Sequence, residues 1–119
     1  AYPPVGGKAG ASDPVERVSA RPDFQILIYP GPLYIPDRIP RNAPPAFVLG
    51  AADDEYVAGV MFDITRKYRE AGASIEAHIY AQGKHAFNMG DRSQYVSIRH
   101  WPQRLADWMQ DRGYLEAAR

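Results

Sequence analysis

The chain has 119 residues, 45% of them hydrophobic, which fits one domain with a modest core, since chains of this size bury somewhat less than ~70% of their unfolded surface. Fourteen basic and fourteen acidic side chains cancel and are interspersed, so the sequence carries no electrostatic footprint for nucleic acid or an anionic membrane. The absence of cysteine excludes disulfide staples, thiolate catalysis and thiolate metal sites together, and no apolar run approaches the roughly 18 residues of a spanning helix, so the chain reads as soluble.

Residues 1–22 are rich in Gly, Pro, Ala and Ser, with Pro3-Pro4, Gly6-Gly7 and Asp13-Pro14 as successive helix breakers, and read as an irregular N-terminal arm. Ala1–Gly10 lacks the basic-then-apolar layout of a signal peptide; a cytoplasmic location follows if Ala1 lies near the true start, and localisation otherwise depends on sequence upstream. Residues 23–119 read as the folded domain. Phe24–Tyr29 is short, β-branched and almost continuously apolar, as in a strand covered on both faces. The stretch from Pro30 through Pro32, Pro36, Pro40 and Pro44 to Pro45 is a long loop, expected to border a site. Ala46–Gly50 is a second strand. Val57, Val60, Met61, Ile64 and Tyr68 then mark one helical face, and Gly72 stands where a left-handed C-cap belongs. Ser74–Tyr80 alternates polar and apolar, the period of a half-buried strand near a sheet edge. A last helix opens at Trp101-Pro102, carries Trp101, Leu105, Trp108 and Met109 on one face, and closes at Gly113. The alternation of strands and helices predicts an α/β fold of three layers, a mainly parallel sheet of about three strands flanked by helices.

In a parallel sheet the carboxyl ends of the strands share one edge, where α/β proteins assemble their sites. Here the second strand runs into Asp53-Asp54 and the third into Gly83-Lys84-His85-Ala86-Phe87. An acid and a histidine so placed can form a charge-relay pair. The nucleophile that would complete a triad sits on a G-x-S-x-G elbow, and none of Ser12, Ser19, Ser74, Ser93 and Ser97 stands in that context. Without one, the pair can still activate a water, which contributes about 10² to 10⁴-fold. Plainer readings stand beside these. One of Asp53 and Asp54 is expected to cap the following helix, His78 to face solvent or a neighbouring helix, and His100 to be structural. Tyr29, Tyr34, Phe87 and Trp101 read as core and wall, with Tyr34 and Phe87 the candidates for a substrate wall. No helical His pair or tight ligand cluster supports a metal at His78, His85 and Asp54, and no cofactor is called for.

The run Arg21-Pro22-Asp23-Phe24 leading into Ile28-Tyr29-Pro30, then Asp53-Asp54-Glu55-Tyr56-Val57, Gly83-Lys84-His85-Ala86-Phe87, and Trp101 through Trp108 to Gly113, resembles the C-terminal portion of an α/β-hydrolase. The branch it resembles is the acetyl-xylan-esterase, lipase-like and dienelactone-hydrolase-like group, and the resemblance runs from Asp13 to the C-terminus. It implies a partial α/β-hydrolase fold, with the family's acid (D-x-x-V) falling on Asp54 and its histidine (G-x-H-x-F) on His85. The family's nucleophile elbow and oxyanion-hole loop lie upstream of the segment that corresponds to Ala1. The resemblance therefore implies the acid-and-histidine part of a serine-type carboxylic-ester hydrolase for small acyl or acetylated-sugar esters. The alternative is a truncated, inactive α/β domain acting as an oligomeric structural or binding module. In the whole fold the Phe24–Tyr29 strand would pair with the nucleophile strand, so its outer edge is expected to be open. The expected partners are a small-molecule ester, and a second copy or an N-terminal fragment at that edge, with no nucleic acid and no membrane.

Overall fold

In the computed structural model, which describes residues 6–33 and 35–115, the apolar run after Phe24 forms strand β1 (Gln25–Ile28) and the run after Pro45 forms β2 (Ala46–Ala51). Helix α1 (Ala58–Ala71), strand β3 (Ile75–Tyr80), a one-turn helix α2 (Val96–Arg99) and helix α3 (Trp101–Asp111) follow. All strands are parallel, in the order β1-β2-β3, with Ile28 beside Leu49 and Leu49 beside His78. β2 is central and buried along its whole length, which is why it shows no polar alternation. β3 alternates because it is an edge strand, partly exposed throughout.

The pleat of β2 divides the core in two. Ala46 and Val48 point to one face, where Val57, Met61, Ile64 and Tyr68 of the α1 segment cover them. Phe47 and Leu49 point to the other, against Trp101 and Trp108 of α3. Helices on both faces of a parallel sheet make three layers, as the alternating pattern predicts. α1 ends at Gly72, left-handed at φ 73°, whose N–H bonds Arg69 O at 3.1 Å while Ala73 N–H bonds Tyr68 O at 3.0 Å, the paired closure that glycine permits. No helix among the described residues is long and apolar enough to cross a membrane.

Three local expectations change. The proline-rich loop does not border the strand-end edge along its length: Ile39 and Ala43 are buried in the α1-side core, Lys67 Nζ donates to Pro36 O at 3.0 Å, and Tyr68 Oη donates to Pro44 O at 3.1 Å. Its apolar residues, too scattered to form a regular element, serve as cover for α1. The arm holds a 3-10 turn, Pro14–Arg17, opened by Asp13 Oδ1 accepting Val15 N–H at 2.9 Å. Helix α1 has Val57 at its N-cap with no side-chain cap bond; Asp54 accepts instead one residue earlier, from Tyr56 N–H at 3.0 Å in the turn that leads into the helix. Tyr34 lies outside the described residues.

Candidate active site

β2 and β3 run in register to their ends, with Ala51 beside Tyr80 and Ala52 N–H bonding Tyr80 O at 2.7 Å. The segments that leave these ends, Asp53-Asp54 and Gly83–Phe87, therefore emerge side by side. The turn after β2 is tight: Asp54 N–H bonds Ala51 O at 3.1 Å, and Asp54 O accepts from Val57 N–H at 3.2 Å and Ala58 N–H at 3.1 Å. This folds the Asp54 side chain inward until it is 1% exposed. A buried carboxylate needs partners for its oxygens, and both have one. Oδ1 accepts Tyr56 N–H at 3.0 Å, and Oδ2 meets His85 Nδ1 at 2.6 Å.

With a carboxylate at Oδ2, Nδ1 is the ring nitrogen that carries the hydrogen, and Nε2 keeps its lone pair. No described residue hydrogen-bonds Nε2, and 46% of the His85 side chain is open to solvent. The arrangement is a buried acid behind an imidazole whose far nitrogen is free to take or give a proton.

Asp53 has a different task. Its Oδ1 accepts Lys84 N–H at 2.8 Å and its Oδ2 accepts Gly83 N–H at 3.3 Å, so this partly buried carboxylate ties down the backbone that leads into His85. The Lys84 N–H above all, then that of Gly83 and the Lys84 charge, hold the Asp53 carboxyl below its ordinary 3.8 against the opposing effect of desolvation. One aspartate holds the ring and its neighbour holds the chain.

The loop is strained where it presents the histidine. Lys84, Ala86 and Asn88 all have left-handed backbones, at φ 56°, 61° and 50°, a region that side chains with a Cβ rarely occupy. Such conformations persist only where the surroundings over-determine them. Besides the two aspartates, Trp101 Nε1–H donates to Asn88 O at 2.8 Å, and Gly90, at φ 83°, lies so close to Ile98 that a Cβ there would meet Ile98 O at 2.2 Å. A cavity of about 520 Å³ lies against the loop, with Ala86, Phe87, Asn88, Met89 and Arg92 in its wall.

Phe87 is half-buried and packs on the Tyr29 ring at 5.2 Å. His78 is kept apart from the pair, facing the α3 side over the Phe47 ring at 5.3 Å with Nε2 2.9 Å from Glu76. His100 serves as the backbone N-cap of α3. Among the described residues no three His, Asp or Glu side chains gather as a metal would require. Two residues join the site that the sequence reading left out of it. Tyr29, read as core and wall, sits edge-on to His85 at 4.8 Å, and Tyr56, 71% exposed, has its ring 6.2 Å from His85. Tyr56 was open to discovery, as an aromatic two residues after a candidate acid.

No protein-family model and no curated protein matches the sequence. Solved structures do match. Over 93% of its length the chain superposes on 50% of an acetyl ester-xyloside bifunctional hydrolase from Caldicellulosiruptor lactoaceticus, with a TM-score of 0.81 at 24% identity. This chain carries a partial α/β-hydrolase fold. The same holds against a carboxylesterase from Lactobacillus plantarum, with a TM-score of 0.69 and 18% identity over 90% of the chain and 53% of the esterase. A sugar hydrolase from Lactococcus lactis gives 0.66 and 20% identity over 87% of the chain and 52% of that structure. The chain thus spans about half the length of each of these three structures.

Proposed function

We propose that this chain supplies the acid and the general base of a serine-type carboxylic-ester hydrolase acting on small acyl or acetylated-sugar esters, with the nucleophile carried by sequence outside these 119 residues. The observation that carries the reading is the 2.6 Å contact between the buried Asp54 carboxylate and Nδ1 of a half-exposed His85. In this reading Nε2 takes the proton of the nucleophilic hydroxyl as its oxygen attacks the ester carbonyl. It returns that proton to the leaving alkoxide when the tetrahedral intermediate collapses to an acyl-enzyme. Water, deprotonated by the same nitrogen, then releases the acid. Asp54 stays ionised throughout, fixing the tautomer and stabilising the imidazolium. Phe87 walls the substrate beside the cavity against the loop. The ester-hydrolase names of the structural neighbours support the substrate class.

The outer edge of β1 belongs to the same proposal. It has no partner strand among the described residues, and Ile26 is 38% exposed there. An unpaired strand edge is a template for another strand. The partner proposed is the nucleophile-bearing segment, or failing that a second copy of this chain. A second reading, an idle pair in an oligomeric module, is favoured by the same open edge.

Hydrolysis of a short-chain chromogenic ester separates the readings. The 119-residue chain alone is expected to give at most the weak turnover of a general base on water. The chain extended upstream to a G-x-S-x-G segment is expected to show saturable turnover, lowered by a factor on the order of 10⁴ or more in His85→Ala. Equal rates for His85→Ala and the parent in the extended protein would sink the catalytic reading and leave the oligomeric module.

A further inference from the structure

Tyr29 holds a conformation that its covalent structure disfavours. It directly follows β1, and its φ of 37° lies in the left-handed region where a bulky side chain is a rare outlier. Glycine would make the same turn without strain, since the backbone requirement is one bond, Tyr29 N–H to Leu49 O at 2.7 Å. A tyrosine kept where glycine is easier points to the placement of its ring.

That ring lies edge-on to His85, with centroids 4.8 Å apart and planes at 60°, and to Phe87, at 5.2 Å and 80°. The two flank Ala86, itself left-handed, so one ring packs on both aromatic side chains that the loop projects. The bond from Nδ1 to Asp54 fixes a single atom of the imidazole. The ring remains free to rock on that contact, and rocking both turns Nε2 and bends the Nδ1–H bond to Asp54 out of line, opening its proton to water. Solvent imposes no direction on a side chain that is 46% exposed. Tyr56 is itself 71% exposed and stands farther off, at 6.2 Å. Tyr29 is half-buried and packs on the α1-side core, so it is the contact with a rigid anchor.

We infer that Tyr29 is a positioning residue that fixes the plane of the His85 imidazole, and with it the direction of Nε2, by edge-on packing from a strained backbone. The inference rests on the reading of His85 as general base for its consequence. Its test follows the ring and not turnover, so the two fail separately.

The measurement is nitrogen-15 NMR of the His85 imidazole in the 119-residue chain, with the water-exchange rate of Nδ1–H as readout and the β2 amide signals as a check on the sheet. Tyr29→Ala is expected to speed that exchange roughly tenfold, the weight of two edge-on ring contacts, whereas Tyr29→Phe stays within about twofold because it keeps them. Tyr29→Gly removes ring and strain together. It is expected to match Tyr29→Ala in exchange while its thermal midpoint is equal or higher. Unchanged exchange in both Tyr29→Ala and Tyr29→Gly overturns the inference. So does a Tyr29→Phe variant as fast as Tyr29→Ala, which would transfer the role to the hydroxyl. Loss of the β2 signals in Tyr29→Gly overturns it too, by making Tyr29 a requirement of the fold.

Discussion

Along the α1 face of the sheet, Val48, Met61, Ile64 and Tyr68 are buried against one another in regular elements, whereas the segment from Gly83 to Gly90 is held by directed contacts that reach it from other parts of the chain. Asp53 grips its entry, Asp54 its histidine ring, Tyr29 its two aromatic side chains and Trp101 the carbonyl of Asn88. Burial is non-directional and proportional to area, so it supplies stability and specifies position loosely. Hydrogen bonds contribute little net free energy but are strict about geometry. The loop adopts left-handed backbones at Lys84, Ala86 and Asn88 because these contacts outweigh its local preference. The α1 face should therefore respond to mutation in stability, and the loop in geometry.

The largest effect is expected where burial is complete. Met61 is fully buried against the α1-side core. Met61→Ala should cost about 2 to 5 kcal/mol in denaturant unfolding, from lost transfer energy and the cavity left behind. The molecules that remain folded should keep the Nδ1–H signal of His85. A Met61→Ala variant that lost this signal while folded would break the contrast, by making the loop depend on the α1 face. Next comes Gly90→Ala, where the new Cβ would meet the backbone oxygen of Ile98 at 2.2 Å from a left-handed residue at φ 83°. Strain of this kind is worth roughly 1 to 3 kcal/mol, and since a backbone atom blocks the way the loop must move to relieve it. The expected outcome is a modest fall in stability with loss of the Asp54–His85 bond. A full-sized fall in stability with that bond retained would put the loop in the same class as the core.

The same contrast explains what could be read in the letters. β2, β3, α1, the Gly72 stop and the Trp101–Met109 face were legible, because burial on one face or both imposes a period or its absence on the sequence. The three-layer α/β arrangement followed from their order, and its likeness to part of an α/β-hydrolase from the motif resemblance. Asp54 and His85 were legible as candidates, because strand ends gather their following residues at one edge. The loop's supports were not. Asp53 bonds backbone groups some 30 residues away, and a carboxylate that meets a distant N–H leaves no local signature. The backbone of Tyr29 is likewise set by the fold and not by its neighbours in sequence. The one-turn α2 is too short to show a period. The 3-10 turn of the arm was within reach, since Asp13-Pro14 is itself an N-cap followed by a first-turn proline.

Asp53 gives the smallest effect on stability and the finest test of how the loop is held. Its carboxyl is lower than 3.8 in the folded protein, foremost through the Lys84 N–H. A carboxyl depressed by folding stabilises the folded state above its ordinary value, and that contribution disappears as the pH falls from 3.8 through the lower, folded value. Because this carboxylate is only partly buried and bonds loop backbone alone, the fold as a whole feels little of the change. The loop entry feels it directly, since protonation removes the charge that Gly83 and Lys84 N–H point at. Their amide chemical shifts should stay constant through neutral pH and move together only below the ordinary carboxylate range. In Asp53→Asn a carbonyl can still accept one of these bonds, but it carries no charge. Both amides should then start displaced toward their acid positions and stay flat through the same acid range, with the thermal midpoint close to that of the parent. Amides that titrate in Asp53→Asn as they do in the parent would show that another group controls the loop entry. The division between one aspartate that holds the chain and one that holds the ring would then fall.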